Sequence, residues 1–115
     1  MTDLASNDAN STSALRIHQI RDERGLVLEL GGELDLGSAP LLERQLTEIE
    51  DESSGRVLID LRNLTFMDST GLALLIRAER AAQDNGHQLR LRRGSKQVQR
   101  LFELTGVVDR FTFDD

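Results

Sequence analysis

Alternation of hydrophobic and polar residues predicts two β-strands near the start of the chain. In LRIHQI, Leu15 and Ile17 face one side while Arg16 and His18 face the other. LVLEL follows after RDERG, a turn that Gly25 closes. Two short alternating runs joined by such a turn predict an N-terminal β-hairpin.

Three later segments show the spacing of amphipathic helices, with hydrophobic residues three and four positions apart. Their stripes are Leu42, Leu46 and Ile49; Gly71, Leu74, Leu75, Ala78 and Ala82; and Val98, Leu101, Phe102 and Thr105. Ser38 and Ser95 precede the first and third stripes and are good N-cap residues. NG at 85–86 ends the second helix, and Gly106 ends the third.

Three further strands alternate with these helices. RVLIDL is a continuous apolar run, which is typical of a central strand covered on both faces. HQLRLR alternates cleanly, with Leu89 and Leu91 facing the core, and RFTF has Phe111 and Phe113 at strand spacing. The order β-β-α-β-α-β-α-β predicts an α/β fold, a mixed sheet of four or five strands with an N-terminal β-hairpin and three helices.

Polar residues converge at one edge of the predicted sheet. The loop GGELDLGS leaves the second strand, and RNLTFMDST leaves the third. If those strands are parallel, both loops leave the same edge, where open α/β sheets place their functional sites. We name the residues that meet there the acidic rim: Glu33, Asp35, Asp68, Ser69 and Thr70.

The segment FMDSTGL leaves two explanations open for Ser69. Ser69 can cap the second helix, with its oxygen accepting a hydrogen bond from an amide two or three positions on. Asp68 can cap equally well, which would leave the Ser69 hydroxyl free for modification. A phosphate there would meet the free amides and the positive end of the helix dipole, but it would also add charge beside Asp68. The heptapeptide alone favours the cap.

The second helix carries larger apolar residues away from its core stripe. Leu72 and Ile76 follow helical spacing with Ser69, on a different side from Leu74 and Leu75. They predict either a docking surface for a partner protein or a helix that is buried over a wide arc. The sequence leaves both interpretations open.

Composition restricts the functions open to the chain. It has 115 residues, 14 basic against 20 acidic, and a net charge of -6. That balance disfavours a nucleic-acid partner, so we interpret Arg90, Arg92 and Arg93 as one solvated strand face. Aromatic residues are only 3% and cysteine is absent, which argues against base stacking, disulfides and thiolate metal sites.

The chain reads as one domain behind a short tail. Residues 1–13 are small and polar, so we expect a disordered tail there and a folded domain at 14–115. No apolar run approaches the roughly 20 residues of a membrane span, and the N-terminus lacks the apolar core of a signal peptide. We therefore expect a cytoplasmic protein without a membrane partner.

An enzyme that used Ser69 as a nucleophile would need a general base. The two histidines are His18, in the hairpin, and His87, at the edge that we expect to lie opposite Ser69. Asp35 and Asp68 form a carboxylate pair, but no histidine cluster accompanies them. We therefore predict a protein that is not an enzyme and that needs neither cofactor nor metal.

With these residues in view, the chain resembles a STAS domain of the bacterial anti-sigma factor antagonist family. The resemblance runs from about Leu15 to Phe113 and rests on GELD, VLIDLRNLTFMDSTGLALL and RLFELTGVVDRF. It implies a protein that binds an anti-sigma factor and so frees a sigma factor. That anti-sigma factor is itself a serine kinase, which holds the ATP, and the antagonist contacts no nucleic acid directly.

The resemblance also assigns roles to particular residues. The kinase would phosphorylate Ser69, the first hydroxyl residue after Asp68, and so break the complex, and a phosphatase would reverse the modification. Gly71 would be a tight-packing structural glycine. Glu33 and Asp35 match acidic positions that meet basic residues of the kinase. Together with the helix surface, the expected partner-binding residues are Glu33, Asp35, Asp68, Thr70, Leu72 and Ile76.

The alternative within the same family is a constitutive STAS subunit that is never phosphorylated, such as a scaffold or a transport-accessory domain. The intact Asp-Ser-Thr-Gly at 68–71 favours the switch, since a module without a switch has no need of the serine. With the family resemblance, phosphorylation of Ser69 becomes the preferred interpretation and the cap becomes its scaffold.

Overall fold

The computed structural model describes residues 14–52 and 55–114, and only the backbone of residues 50–52. The tail expected at 1–13 lies outside these residues. The strands are β1 Leu15–Asp22, β2 Gly25–Leu34, β3 Arg56–Met67, β4 Gln88–Arg92 and β5 Phe113–Asp114. The helices are α1 Ala39–Glu52, α2 Ser69–Asp84 and α3 Lys96–Leu104, followed by a single 3-10 turn at Val108–Arg110.

The described strands form one mixed sheet in the order β1-β2-β3-β4-β5. β1 pairs antiparallel with β2 as a hairpin, and the remaining neighbours are parallel. Parallel neighbours need crossover connections, which the three helices supply. The fold class predicted from the sequence is confirmed, with five strands in the sheet.

The hydrophobic core lies between one face of the sheet and the three helices. Leu28, Ile59 and Leu91 are fully buried on three neighbouring strands, and they join the same cluster as Leu75 and Phe102 of the helices. Residues that alternate with them lie on the other face of the sheet. Within residues 14–52 and 55–114 the helices cover one face only, so the expectation that RVLIDL is covered on both faces is wrong.

β2 and β3 continue through segments that the sequence assigned to loops. β2 runs to Leu34 and β3 to Met67, so GGEL and RNLTFM are strand. The ladder between them shifts register near Gly31 and Gly32; such a bulge disrupts the ladder locally and leaves an extra residue unpaired, and pairing resumes beyond it. Gly32 has a φ of 90°, and a Cβ there would overlap the Ala14 carbonyl oxygen, so this bulge requires glycine.

A buried carboxylate, Asp60, lies on the helix-free face of β3. It is 2% exposed, its Oδ2 is 2.9 Å from Arg62 Nη2 and 3.3 Å from Arg92 Nη1, and its Oδ1 accepts the Arg62 amide. Burial by itself raises the pKa of Asp60. The hydrogen bonds and charge of Arg62, together with the charge of Arg92, outweigh burial and hold the pKa below its ordinary value.

This ion pair makes stability depend on acid pH. Because folding lowers the pKa of Asp60, its contribution is fully present above the unfolded value of 3.8 and is lost as pH falls through the folded value. We expect the stability difference between the wild type and Asp60→Asn to be largest near neutral pH and to shrink below about pH 4. Urea unfolding at several pH values measures it, and a difference of equal size at both ends would contradict the assignment.

The sequence suggested that Arg90, Arg92 and Arg93 form one solvated strand face, and the structure differs from that expectation. Arg90 Nε lies 2.6 Å from Asp114 Oδ1, and the Arg93 guanidinium lies 4.7 Å from the centre of the Phe113 ring. With Arg92 held by Asp60, each member of the cluster has its own contact. The interpretation of a simple solvated strand is wrong because β5 and the buried carboxylate both lie beside β4.

Candidate functional site

β2 and β3 are parallel and end side by side. Leu34 pairs with Met67 in the last register position, and the Asp68 amide donates to the Leu34 carbonyl oxygen at 3.2 Å. The loops that follow the two strands therefore leave the same edge of the sheet. The structure brings both halves of the acidic rim to this edge, as the parallel arrangement predicted.

The loop after β2 is held by a reciprocal pair of hydrogen bonds. The Ser38 amide donates to Asp35 Oδ1 at 3.0 Å, and the Asp35 amide donates to Ser38 Oγ at 2.9 Å. The buried Ser38 hydroxyl donates in turn to the Glu33 carbonyl oxygen at 2.8 Å. Ser38 thus precedes α1 as expected, but its side chain closes the loop instead of capping helix amides. Asp35 is half-buried, and one of its carboxylate oxygens, Oδ1, accepts a hydrogen bond within this loop.

Asp68 is the N-cap of α2. Its backbone is extended, with φ -108° and ψ -175°, and its Oδ1 accepts from the amides of Thr70 at 2.9 Å and Gly71 at 3.1 Å. Two amides that would otherwise lack partners are satisfied by this one carboxylate. Of the two capping residues that the sequence left open, the structure selects Asp68.

The cap can be tested by substitution. Asp68→Ala is expected to lower the free energy of unfolding by about 1 kcal/mol, because both amides lose their acceptor. Asp68→Asn keeps a side-chain oxygen in place and is expected to cost only a few tenths of that figure. Urea unfolding of both variants alongside Ser69→Ala checks the assignment, which is wrong if Ser69→Ala is the most destabilised of the three.

Ser69 is the first residue of α2 and is exposed. Its hydroxyl makes no hydrogen bond with any described residue, because the cap position is already taken by Asp68. Thr70, the second hydroxyl residue, is half-buried. The exposed Ser69 hydroxyl therefore lies at the N-terminus of α2, next to the backbone amides that Asp68 caps.

Gly71 fixes how closely this helix mouth approaches the sheet. A Cβ at Gly71 would lie 2.7 Å from Leu34 Cγ and 3.0 Å from the Leu34 carbonyl oxygen. Leu34 is fully buried at the end of β2, so it has no room to retreat. The glycine thereby sets the position of Ser69 relative to the loop that carries Asp35.

The apolar side of α2 is only partly available to a partner. Leu72 is 4% exposed and belongs to the core cluster, so its expected place on a docking surface is wrong. The helix is buried over a wider arc than its core stripe, which was the other interpretation of the sequence. Ile76 is half-buried and packs against the same cluster, leaving part of its side chain accessible.

Two apolar residues that the sequence analysis overlooked lie beside the acidic rim. Leu36 is 73% exposed in the loop directly after Asp35, and Phe66 is 40% exposed on β3, opposite Glu33. Leu36 could have been noticed as a leucine in a turn, outside every predicted stripe. Phe66 could not have been noticed in this way, because the sequence analysis assigned it to a loop.

The two histidines lie away from Ser69. His18 Nδ1 is 3.4 Å from Glu29 in the hairpin, and the His87 amide donates to Ala82 beyond the far end of α2. Among the residues that the structure describes, no three His, Cys, Asp or Glu side chains are grouped to hold a metal ion. None of the described helices is long and apolar enough to cross a membrane.

The chain belongs to the STAS domain family, whose model matches residues 14–115. Among characterised relatives, the anti-sigma-B factor antagonist of Staphylococcus aureus is 34% identical over 95 residues. The match covers 83% of this chain and 88% of that protein. The resemblance stated from the sequence motifs is confirmed.

Solved structures share the fold at lower sequence identity. The anti-sigma factor antagonist SpoIIAA in its unphosphorylated form has a TM-score of 0.74 and 20% identity, covering 87% of this chain and 89% of that one. The phosphorylated form of the Bacillus cell fate determinant SpoIIAA has a TM-score of 0.67 and 18% identity, covering 89% and 92%.

Proposed function

We propose that this protein is an anti-sigma factor antagonist that is switched off by phosphorylation of Ser69. The observation that carries the proposal is the exposed Ser69 hydroxyl, which makes no hydrogen bond in the described part of the chain, where Asp68 caps the helix. The name of the Staphylococcus aureus relative, anti-sigma-B factor antagonist, supports the choice of partner. In this proposal the chain is a cytoplasmic binding module, not an enzyme, and its partner is a serine kinase that supplies the ATP.

A phosphate on Ser69 would affect the partner more than the fold. It brings about -1.5 to -2 charges to a helix N-terminus, where amides and the helix dipole favour an anion. The Ser69 hydroxyl has no hydrogen bond with the described residues to lose, so the free protein is expected to tolerate the group. A partner docked on the acidic rim would face a new dianion beside Asp68, Asp35 and Glu33, and it would have to desolvate that charge.

The docking surface that fits this switch combines charge with apolar area. Glu33, Asp35 and Asp68 supply the carboxylates, while Leu36 and Phe66 supply exposed apolar side chains next to them. Interfaces take most of their binding energy from a few well-packed residues in an apolar centre, surrounded by a polar rim. Thr70 and the accessible part of Ile76 complete the proposed surface on α2. The expected partner surface is therefore basic with an apolar centre.

The exposed apolar residues give this surface a specific test. Leu36→Ser and Phe66→Ser are each expected to weaken partner binding by roughly tenfold, because an exposed anchor is lost with little change to the core. Isothermal titration calorimetry with the purified anti-sigma factor measures the effect. Leu104→Ser is the matched control, since Leu104 is 76% exposed on α3, away from the rim. Equal weakening by Leu104→Ser would contradict the proposed surface.

The proposal as a whole is tested with the anti-sigma kinase and ATP. Intact mass after incubation should show a gain of a single phosphate group in the wild type and in Thr70→Ala, and no gain in Ser69→Ala. A pull-down should retain the kinase before ATP treatment and lose it afterwards. A phosphatase would be needed to restore binding. Stable binding without any phosphate would instead indicate the constitutive, scaffold-type STAS subunit.

A further inference from the structure

The helix-free face of the sheet presents ordered rows of side chains across β1 to β4. The rows follow the strand register: Asp22, Gly25, Arg56 and Gln88; Ile20, Val27, Leu58 and Arg90; and His18, Glu29, Asp60 and Arg92. The third row is closed by ion pairs around the buried Asp60. The first two rows contain a glycine, apolar residues and arginines. Because the glycine has no side chain, the surface is depressed between these two rows.

This depression is a groove of about 550 Å³, which we name the arginine groove. Its lining includes Asp22, Arg24, Arg56, Arg90, Arg92 and Asp114. Gly25 has a φ of 137°, and a Cβ there would lie 2.8 Å from the Arg56 Cβ, so the position has no side chain to fill the groove. Half-buried Val27 and Leu58 pair across the strands and form its apolar floor.

Two of the arginines in the groove are already neutralised. Arg90 pairs with Asp114, and Arg92 pairs with Asp60. Asp22 accepts hydrogen bonds from the amides of residues 24 and 25 at 2.8 and 3.1 Å, so its Oδ1 serves the hairpin turn. The charges that no ion pair among the described residues neutralises are therefore those of Asp22 and of the two arginines at the hairpin end of the groove, Arg24 and Arg56.

The guanidinium groups of Arg24 and Arg56 form no ion pair with any residue that the structure describes, and both side chains are exposed. With Arg90 and Arg92 paired with Asp114 and Asp60, Arg24 and Arg56 against Asp22 leave one net positive charge in the groove. The net charge of the whole protein is -6. The local positive charge of the groove is therefore opposite in sign to the net charge of the protein. The planar guanidinium fork of an arginine matches two oxygens of a phosphate group.

We propose that the arginine groove binds a small organic phosphate, with its phosphate on Arg24 and Arg56 and an apolar body on Val27 and Leu58. The volume lies within the range of roughly 300–1,000 Å³ that is usual for small-molecule sites. From Leu58 to the end of β3 the strand rises roughly 30 Å, so the groove is a second site, separate from Ser69. Ligand binding there does not depend on the proposed phosphorylation.

The experiment is a titration of the isotope-labelled full chain with phenyl phosphate, followed by amide chemical shifts. We expect saturable shifts at Gly25, Val27 and Leu58, with a dissociation constant of about 1 mM or tighter. Inorganic phosphate tests the anion alone, and benzyl alcohol tests the apolar body alone. Each is expected to bind at the same amides at least tenfold more weakly than phenyl phosphate.

Charge-matched variants separate a built site from general attraction. Arg24→Gln and Arg56→Gln are each expected to weaken phenyl phosphate binding by tenfold or more, whereas Arg44→Gln, which removes an exposed charge on α1, is not. Both groove arginines are exposed, so at least one variant should fold, which the amide spectrum confirms. Equal weakening in Arg44→Gln, shifts elsewhere in the chain, or no saturation up to about 10 mM would overturn the proposal.

Discussion

Replacing Ser69 by glutamate is expected to weaken binding of the anti-sigma factor by roughly 100-fold or more, or about 3 kcal/mol, while stability hardly changes. The two effects separate because Ser69 makes no hydrogen bond with the described residues and Asp68 holds the cap. A carboxylate in the first turn is favoured by the helix dipole, which offsets repulsion from Asp68. The expected change in the free energy of unfolding is within about 0.5 kcal/mol.

Gln97→Glu is the matched control for this variant. Gln97 is exposed in the first turn of α3 and the change adds the same single charge at a helix N-terminus. α3 begins beside Leu61, which is roughly 20 Å along β3 from the acidic rim. Calorimetric titration and urea unfolding of both variants give the comparison. If Ser69→Glu lost stability and binding together, the serine would be acting structurally and the switch would lose its physical basis.

The parts of the fold that follow a fixed period could be predicted from the sequence. Leu42 and Leu75, taken from the predicted helix stripes, are fully buried. Ser95 caps α3 through the Val98 amide at 3.2 Å, and Gly86, with φ 73°, follows α2 as predicted. Each of these features depends on a few neighbouring residues, so the local sequence contains the information that determines it.

The ends of β2 and β3 could not be predicted in the same way. Where the ladder shifts register, the alternation of buried and exposed residues breaks down, and Thr65 and Phe66 are exposed in succession. A pattern with period two cannot detect a strand through such a bulge. Phe66 was therefore lost as a candidate, although it lies directly beside the acidic rim.

The correction at Leu72 has a different cause. Local spacing shows which side of a helix is apolar, but the width of the buried arc depends on what packs around it. Here α2 lies against the sheet, α1 and α3 at once, and Leu72 falls inside that contact. Similarly, Asp68 and Ser69 are equal as capping residues in the sequence. Only the extended backbone of Asp68 and its two amide contacts decide between them.

Gly71→Ala is expected to destabilise the protein by about 2 kcal/mol, although alanine is the better helix former. The new methyl group would meet Leu34 Cγ at 2.7 Å and the Leu34 carbonyl oxygen at 3.0 Å. Leu34 is fully buried, so the strain has to be relieved by moving the start of α2. That movement would also displace Ser69 and the cap at Asp68, and we expect partner binding to weaken as well.

The sign of the effect makes this prediction specific to the contact with β2. By helix propensity alone, Gly71→Ala would stabilise the protein by up to about 1 kcal/mol, and the reverse change Ala73→Gly, at an exposed position on the same helix, would cost as much. Urea unfolding of both variants therefore separates propensity from packing. If both variants are destabilised, helix propensity cannot explain the result for Gly71→Ala, and the cause lies in the contact between Gly71 and Leu34. A more stable Gly71→Ala would mean that the N-terminus of α2 can shift to accommodate the methyl group. The position of Ser69 beside the loop of Asp35 would then not be fixed by this glycine.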